Sequence, residues 1–156
     1  MLLKKAERRH QLKTSDYARL AAFRVQLRKF LRFSEDAAAK VGLTAQHYQA
    51  MLVLRASPED EPVSINDMAR KLLIKHNSAV GLVDRLEREG LIGRAPSKAD
   101  RRKVELRLSA KGRQVLAKLA GMHRAELERI GPVLRRVIAD VFRDDTMAAT
   151  QERNSR

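Results

Sequence analysis

Residues 63–112 decide the fold, and they read VSINDMARKLLIKHNSAVGLVDRLEREGLIGRAPSKADRRKVELRLSAKG. Ser64, followed three residues later by Asp67, forms a variant of the capping box in which Asp replaces the usual Glu, so a short helix begins there. A tight break at residues 73–75 leads to a second helix, which Gly90 ends. Two short helices joined by such a break are typical of a helix-turn-helix.

After Gly90 the period of the apolar residues changes from helical to two. Residues 91–94 and 104–108 are therefore predicted as strands, and the second of them alternates apolar and charged side chains. The connecting residues 95–103, APSKADRRK, are polar and basic. The sequence thus predicts a β-hairpin with a charged tip, which is a wing beside the helix-turn-helix.

Amphipathic helices are predicted on both sides of this segment. One covers about residues 15–40, and a shorter helix starts at its cap Thr44 and stops in residues 57–62. Downstream, Ser109 caps a long helix that we expect to break at Gly131-Pro132 before a final helix. The apolar stripes of the outer helices are larger than a small winged domain can cover, which predicts an interface. We expect a homodimer held by Leu20, Phe23, Leu27, Phe30, Val133, Val137, Ile138 and Val141.

Composition limits the function classes. The 156 residues include 33 Lys and Arg against 19 Asp and Glu, and a net charge of +14 attracts polyanions, nucleic acid before an anionic membrane. The absence of cysteine excludes a disulfide framework, a thiolate metal site and a cysteine redox switch. The sequence has no apolar run long enough for a signal peptide or a membrane span, so we expect a cytoplasmic, nucleoid-associated protein.

No pattern for catalysis or for a cofactor is found. The sequence contains no Gly-rich phosphate loop, no Gly-x-Ser-x-Gly and no paired carboxylates in a pocket pattern. Without cysteine or a His-x-x-His spacing, a metal site is also disfavoured. We therefore expect a binding protein with no catalytic residues, metal or cofactor.

Two runs resemble one known family. LVDRLEREGLI at 82–92, and DRR at 100–102 followed by VELRLSAKG at 104–112, are similar to the recognition helix and wing of the MarR (multiple-antibiotic-resistance regulator) family. In that family an Asp-x-Arg wing tip is followed by a strand and then by Thr/Ser-x-x-Gly. The resemblance covers about residues 15–142 and leaves a basic arm at 1–14 and a polar tail at 143–156.

The resemblance implies a mainly α fold with a small β-hairpin wing. The winged helix-turn-helix would occupy about residues 44–112, between dimerisation helices at about 15–40 and 113–142. It also implies a homodimer on a pseudo-palindromic double-stranded DNA operator, more often a repressor than an activator, released by a small organic effector. His47 and His123 are expected near helix ends that meet around the effector pocket.

The residues assigned to DNA are Lys75, His76, Asn77, Ser78, Gly81, Arg85, Arg101 and Arg102. Asn77 suits a base edge, but a helix N-cap explains it equally well. Arg85 suits phosphate, and an ion pair with Glu89 is the alternative. Gly81 costs about 1 kcal/mol against Ala inside a helix, which close approach to DNA or close helix packing would explain.

At the wing, the resemblance implies that Arg102 enters the minor groove and that Asp100 orients its guanidinium. A solvated hairpin turn is the alternative for these residues. For the whole chain, the alternative is a nucleoid-type protein that coats DNA through charge, and sequence specificity separates the two. A membrane-surface role is disfavoured because the apolar stripe of the first helix is narrow.

Overall fold

The computed structural model describes residues 12–58, 61–97 and 104–143. Within them the chain forms five α-helices and one two-stranded antiparallel hairpin, which confirms the predicted mainly α fold with a wing. The elements in chain order are α1 (Thr14–Ala39), α2 (Ala45–Ala56), α3 (Ile65–Leu72), α4 (His76–Arg88), β1 (Ile92–Pro96), β2 (Val104–Leu108) and α5 (Ala110–Val141). The described residues divide into two compact units, one of residues 12–30 and 126–143 and one of residues 31–125.

Reciprocal hydrogen bonds start α2 and α3. The Ser64 hydroxyl accepts from the Asp67 amide at 3.2 Å, and the Asp67 carboxylate accepts from the Ser64 amide at 3.0 Å. The Ser64 hydroxyl also donates to the Asp67 carboxylate at 2.7 Å, and this bond, together with that from the Ser64 amide, holds the pKa of the Asp67 carboxyl below its usual value. At α2, Thr44 is the cap and His47 takes the position usually held by Glu or Gln, with its Nδ1 accepting from the Thr44 amide at 3.1 Å. Both predicted caps are confirmed.

The break between α3 and α4 is a left-handed turn. Leu73 ends α3 with φ 55° and ψ 40°, and the Ile74 amide donates to the Ala69 carbonyl at 3.0 Å. Gly90, with φ 69°, ends α4 in the same way, and the Leu91 amide donates to the Leu86 carbonyl at 2.9 Å. The predicted break and the predicted glycine stop are confirmed.

One apolar core holds the helix-turn-helix, the hairpin and the first part of α5 together. It lies in the unit of residues 31–125, and its fully buried large side chains are Met51, Met68, Val83, Leu86 and Leu119. On α4, Val83 and Leu86 are buried in this core and Val80 is half-buried.

The hairpin pairs Ile92 with Leu108 at one end and Pro96 with Val104 at the other. β1 therefore begins one residue later than predicted and ends two residues later, because residues 95 and 96 pair with residues 105 and 104 instead of joining the loop. Val63 adds a single bridge on the other side of β2, where the Leu106 amide donates to its carbonyl at 2.8 Å. The tip, with Asp100, Arg101 and Arg102, lies outside the described residues.

The predicted break at Gly131-Pro132 is wrong. α5 runs from Ala110 to Val141 with Pro132 inside it. A proline removes one backbone hydrogen bond and displaces the carbonyl four residues earlier, here that of Glu128. Both Pro132 and Glu128 are exposed, so water can solvate the freed carbonyl and the helix continues.

Candidate DNA interface

α4 separates a buried face from an exposed one. Ala79, Leu82, Val83 and Leu86 are buried. The opposite face consists of exposed residues three or four positions apart: Asn77, Ser78, Gly81, Arg85 and Arg88. The structure therefore brings Asn77, Ser78, Gly81 and Arg85 together on one solvent-facing stripe, and it adds Arg88, which the sequence reasoning had not assigned. His76, the first residue of the helix, is exposed but lies outside this stripe.

The first turn of α4 has no side-chain cap. Lys75 is the N-cap residue with φ −68° and ψ 150°, and its side chain makes no capping hydrogen bond. Asn77 lies inside the helix at its second position, so the alternative that Asn77 is the cap is wrong. The uncapped amides and the positive end of the helix dipole favour an anion at this end.

Gly81 lies in the middle of the exposed stripe. A Cβ built on it would meet no atom within 4 Å. Close helix packing therefore does not explain this glycine, and the alternative that invoked it is wrong. Close approach of a partner stays as the prediction for this position.

Arg85 makes no ion pair with Glu89 in the part of the chain that the structure describes. Its charge instead affects the buried His47. Burial lowers the pKa of the His47 imidazole, the Arg85 guanidinium lowers it further, and Glu89 acts in the opposite direction. The intrahelical ion pair considered for Arg85 is wrong, and its guanidinium stays on the exposed stripe.

Arg94 connects the wing to α4. Its guanidinium, on β1, donates to the Asp84 carboxylate and lies 3.5 Å from the Glu87 carboxylate. Asp84 and Glu87 are three residues apart on α4, so both face the same neighbour. Arg94 is thus a positioning residue that the sequence reasoning missed, although the paired acids three residues apart were a visible signal.

The start of α5 is fixed to the end of α4 by polar contacts. The Ser109 hydroxyl donates to the Gly90 carbonyl at 2.7 Å and accepts from the Gly112 amide at 2.9 Å. The Ser109 amide donates to the Leu91 carbonyl at 3.0 Å, and the Lys111 ammonium donates to the Glu89 carbonyl at 2.7 Å. A Cβ on Gly112 would lie 1.9 Å from the Leu91 carbonyl oxygen. The Ser-x-x-Gly pattern therefore has a structural cause, since only glycine allows this approach.

The two histidines assigned to an effector pocket have structural contacts. His47 completes the capping box in the first turn of α2. His123 lies in the middle of α5, so its expected place near a helix end is wrong, because α5 continues through Pro132. His123 is buried, stacks on Tyr48 at 4.0 Å and places Nδ1 2.8 Å from the Leu119 carbonyl. Its Nε2 lies 2.8 Å from the Ser34 hydroxyl.

The described residues contain neither a metal-binding cluster nor a membrane-spanning helix. In the ranges that the structure describes, no three His, Asp or Glu side chains are grouped so that they could hold a metal ion. None of the helices in those ranges is both long and apolar enough to span a bilayer.

Comparison with known proteins shows a similarity over the winged part of the chain. The family model described as MarR family matches residues 41–103, which contain α2, the helix-turn-helix and β1. This part of the chain is similar to the MarR family. The match covers the elements that build the exposed α4 stripe and the first strand of the wing.

One curated relative and two solved structures are also similar to this chain. The transcriptional activatory protein BadR of Rhodopseudomonas palustris is 32% identical over 79 residues, which span 51% of this chain and 45% of BadR, less than half its length. The transcriptional repressor CouR bound to a 23-mer DNA duplex is 29% identical, with a TM-score of 0.63 over 92% of this chain and 99% of that chain. MepR, a transcription regulator of the Staphylococcus aureus multidrug efflux pump MepA, is 15% identical, with a TM-score of 0.65 over 85% of this chain and 89% of that chain, and shares the fold.

Proposed function

We propose that the protein is a sequence-specific regulator of transcription that binds double-stranded DNA as a homodimer. Its similarity to the MarR family of DNA-binding transcription factors supports a protein that acts by binding and not by catalysis. The observation that carries the proposal is the exposed stripe of α4, in which polar and cationic side chains surround a glycine that no packing requires. A helix of this kind fits the major groove of B-DNA.

Each part of the stripe suits a different contact. Asn77 and Ser78 are exposed in the first turn, where recognition helices contact base edges. Lys75, the N-cap residue before the stripe, and Arg85, in its second half, suit phosphates. Arg94 holds the wing against α4, so the wing has a fixed direction relative to the groove that α4 enters.

Dimerisation follows from apolar side chains in the unit of residues 12–30 and 126–143. In the single chain Leu20 is 43% exposed, Val133 40% and Ile138 40%, which leaves apolar area for a second copy to cover. A two-fold dimer would present two α4 helices to two half-sites about one helical turn apart. The predicted operator is therefore a pseudo-palindrome.

The proposed sign of regulation is repression, relieved by a small organic ligand. CouR, which is similar over nearly the whole chain, is named a transcriptional repressor and has been solved on a DNA duplex. A second CouR structure, from Rhodococcus jostii RHA1, holds p-coumaroyl-CoA; it is 23% identical, with a TM-score of 0.60 over 81% of this chain and 80% of that chain. These names support an operator-binding protein that also takes an organic ligand.

The test replaces Gly81 with Ala and measures binding to duplexes from the region before the gene by fluorescence anisotropy. A methyl group there meets nothing in the free protein, so the fold should gain up to about 1 kcal/mol of helix stability. If the stripe enters the groove, affinity for the cognate duplex should fall by about tenfold or more, which is the loss of about 1.4 kcal/mol expected for one disturbed base contact. Gly121→Ala on α5 is the matched control, since its Cβ also meets open space, and it should bind as the wild type does.

Equal binding by the two alanine variants would refute the assignment of α4 to DNA. Equal affinity of the wild type for cognate and scrambled duplexes would favour the nucleoid-type alternative. A comparison at several salt concentrations separates the roles: Lys75→Ala should reduce the salt slope by about 1, whereas Asn77→Ala should relax one operator position. Arg102 at the wing tip stays a prediction, tested by the same measurement.

A further inference from the structure

The positive charge of the chain is concentrated at its start. Residues 1–30 contain nine Lys and Arg against two Asp and Glu, so about a fifth of the chain carries half of the net charge of +14. In the part of α1 before residue 30, Arg19 pairs with Asp16 at 3.3 Å, and the sequence has no acid from residue 17 to residue 30. The proposed DNA contacts of α4 and the wing do not use this charge.

Three cations of α1 have no acidic partner. Arg24, Arg28 and Lys29 are exposed, and none of them forms an ion pair within the ranges that the structure describes. Arg24 and Arg28 are four residues apart, a spacing at which like charges repel each other and destabilise a helix. These three side chains form the cationic surface of α1.

The same unit neutralises arginines in its other segment, residues 126–143. Arg129 donates two hydrogen bonds to the Glu126 carboxylate, at 2.8 and 2.7 Å, and the Arg143 guanidinium lies 3.5 Å from the Asp140 carboxylate. Pairs of opposite charge three or four residues apart stabilise a solvent-exposed helix. The cationic surface of α1 has like charges instead, so an anionic partner would relieve a repulsion that the free chain retains.

Two of the three cations lie away from the side of α1 that we assign to the dimer. Leu20 and Leu27 are seven residues apart, so they share one side of the helix. Lys29 follows Leu20 by nine residues, about two and a half turns, and so lies on the opposite side. Arg28 lies between the two sides. A second copy that covers the leucines therefore leaves Arg28 and Lys29 in solvent.

We propose that the cationic surface of α1 binds the phosphates of a second DNA duplex while α4 holds the operator. A guanidinium matches the oxygens of a phosphate, and such contacts give affinity without sequence preference. No amide or hydroxyl side chain is exposed among residues 18–30, which favours phosphates over base edges as the target. A dimer on its operator would thereby join two segments of DNA.

A membrane surface suits these cations less well than a duplex does. A helix that lies on a membrane inserts an apolar face beside its cations. On α1, Phe23 and Phe30 are half-buried within the chain, and Leu20 and Leu27 are assigned to the second copy. The described part of α1 therefore keeps no wide apolar face for lipid. The phosphate contact does not depend on the proposed function, whereas the joining of an operator to a second duplex rests on it.

The test is a capture assay with the full chain. Cognate duplex on beads is saturated with protein and washed, and a fluorescent duplex of scrambled sequence is then added. The wild type should retain the scrambled duplex, and the double variant Arg28→Gln/Lys29→Gln should retain at least about tenfold less, with a salt slope lower by about 2. The control Arg129→Gln/Arg143→Gln removes two charges that carboxylates already offset, and it should capture as the wild type does.

Anisotropy with the cognate duplex alone should give the same affinity for the two double variants. Equal capture by these variants would overturn the proposal. A loss of cognate affinity in Arg28→Gln/Lys29→Gln that matches its loss of capture would place the cations on DNA beside the operator and overturn the second duplex. Binding to phosphatidylglycerol vesicles without capture of the scrambled duplex would assign the cations to a membrane and also overturn it.

The two proposals fail in different ways. A chain that prefers the cognate duplex but captures no second duplex overturns this inference alone. A chain that binds cognate and scrambled duplexes equally, with that binding lost only in Arg28→Gln/Lys29→Gln, supports the contact of α1 with phosphates and overturns the proposed sequence-specific function.

Discussion

Among substitutions that add a single methyl group to the unit of residues 31–125, Gly112→Ala should lower the free energy of unfolding the most. The new Cβ would lie 1.9 Å from the Leu91 carbonyl oxygen, so backbone must move by about 1 Å or more. That movement acts on three hydrogen bonds of 2.7–3.0 Å which join Ser109 to Gly90, Leu91 and Gly112. The loss of these three hydrogen bonds, at about 1 kcal/mol each, should destabilise the fold by about 3 kcal/mol. The higher helix propensity of Ala over Gly should stabilise it by about 1 kcal/mol. The expected net loss in the free energy of unfolding is about 2 kcal/mol.

Urea denaturation followed by far-ultraviolet circular dichroism measures this loss. With a slope of about 1–3 kcal/mol per molar urea, the midpoint should fall by about 1 M. Gly121→Ala is the control on the same helix; its Cβ meets nothing within 4 Å, so its midpoint should rise slightly. All proteins are compared at one concentration because a dimer unfolds in a concentration-dependent way. A Gly112→Ala midpoint at or above that of Gly121→Ala would refute the steric explanation of the Ser-x-x-Gly pattern.

Three further predictions follow from particular contacts. Asp84→Asn should weaken DNA binding, measured by anisotropy, because the substitution releases Arg94 and with it the wing. Electrostatics alone predicts the opposite, since the loss of an acidic side chain should strengthen DNA binding. Stronger binding by this variant would therefore contradict the positioning role of Arg94. Burial and a nearby guanidinium hold the pKa of His47 below 6.5, so the unfolded chain binds the proton first and stability should fall as the pH drops below 6.5. His47→Gln keeps a side chain that can accept from the Thr44 amide, and it should reduce the loss of stability at low pH measured by thermal melts. An unchanged dependence of the melting temperature on pH would exclude His47 as the source of that loss. Deleting the residues from Gly131 onward should give a monomer or an insoluble chain by light scattering, and a well-behaved dimer would contradict the assigned interface.

Local chemistry made much of the fold predictable. The caps at Ser64 and Thr44 and the stop at Gly90 depend on residues within one turn of the helix end, and the sequence displays all of them. Pro132 was misread because its effect depends on whether the displaced carbonyl reaches water, which is a property of the folded surface. Asn77 was a reasonable cap until the left-handed conformation of Leu73 placed the start of α4 at His76.

The candidate site was predictable where a single helix builds it. Helical spacing alone places Asn77, Gly81 and Arg85 on one face, and the structure confirms that shared exposure. The contact of Arg94 with Asp84 and the approach of Gly112 to Leu91 join residues 10 or more positions apart. Such contacts depend on how the hairpin folds back, and no local pattern specifies it.

The polar contacts at the end of α4 also bear on the order in which the chain folds. The last carbonyls of that segment are satisfied by Ser109 and Lys111, which come 19 and 22 residues later in the chain. During synthesis α4 therefore emerges before the groups that complete its C-terminal end, and the hairpin must close before those groups arrive. A peptide that stopped at Gly90 would leave these carbonyls to water and fray. The recognition helix is thus finished by the residues that follow the wing, which couples its formation to that of the whole winged unit.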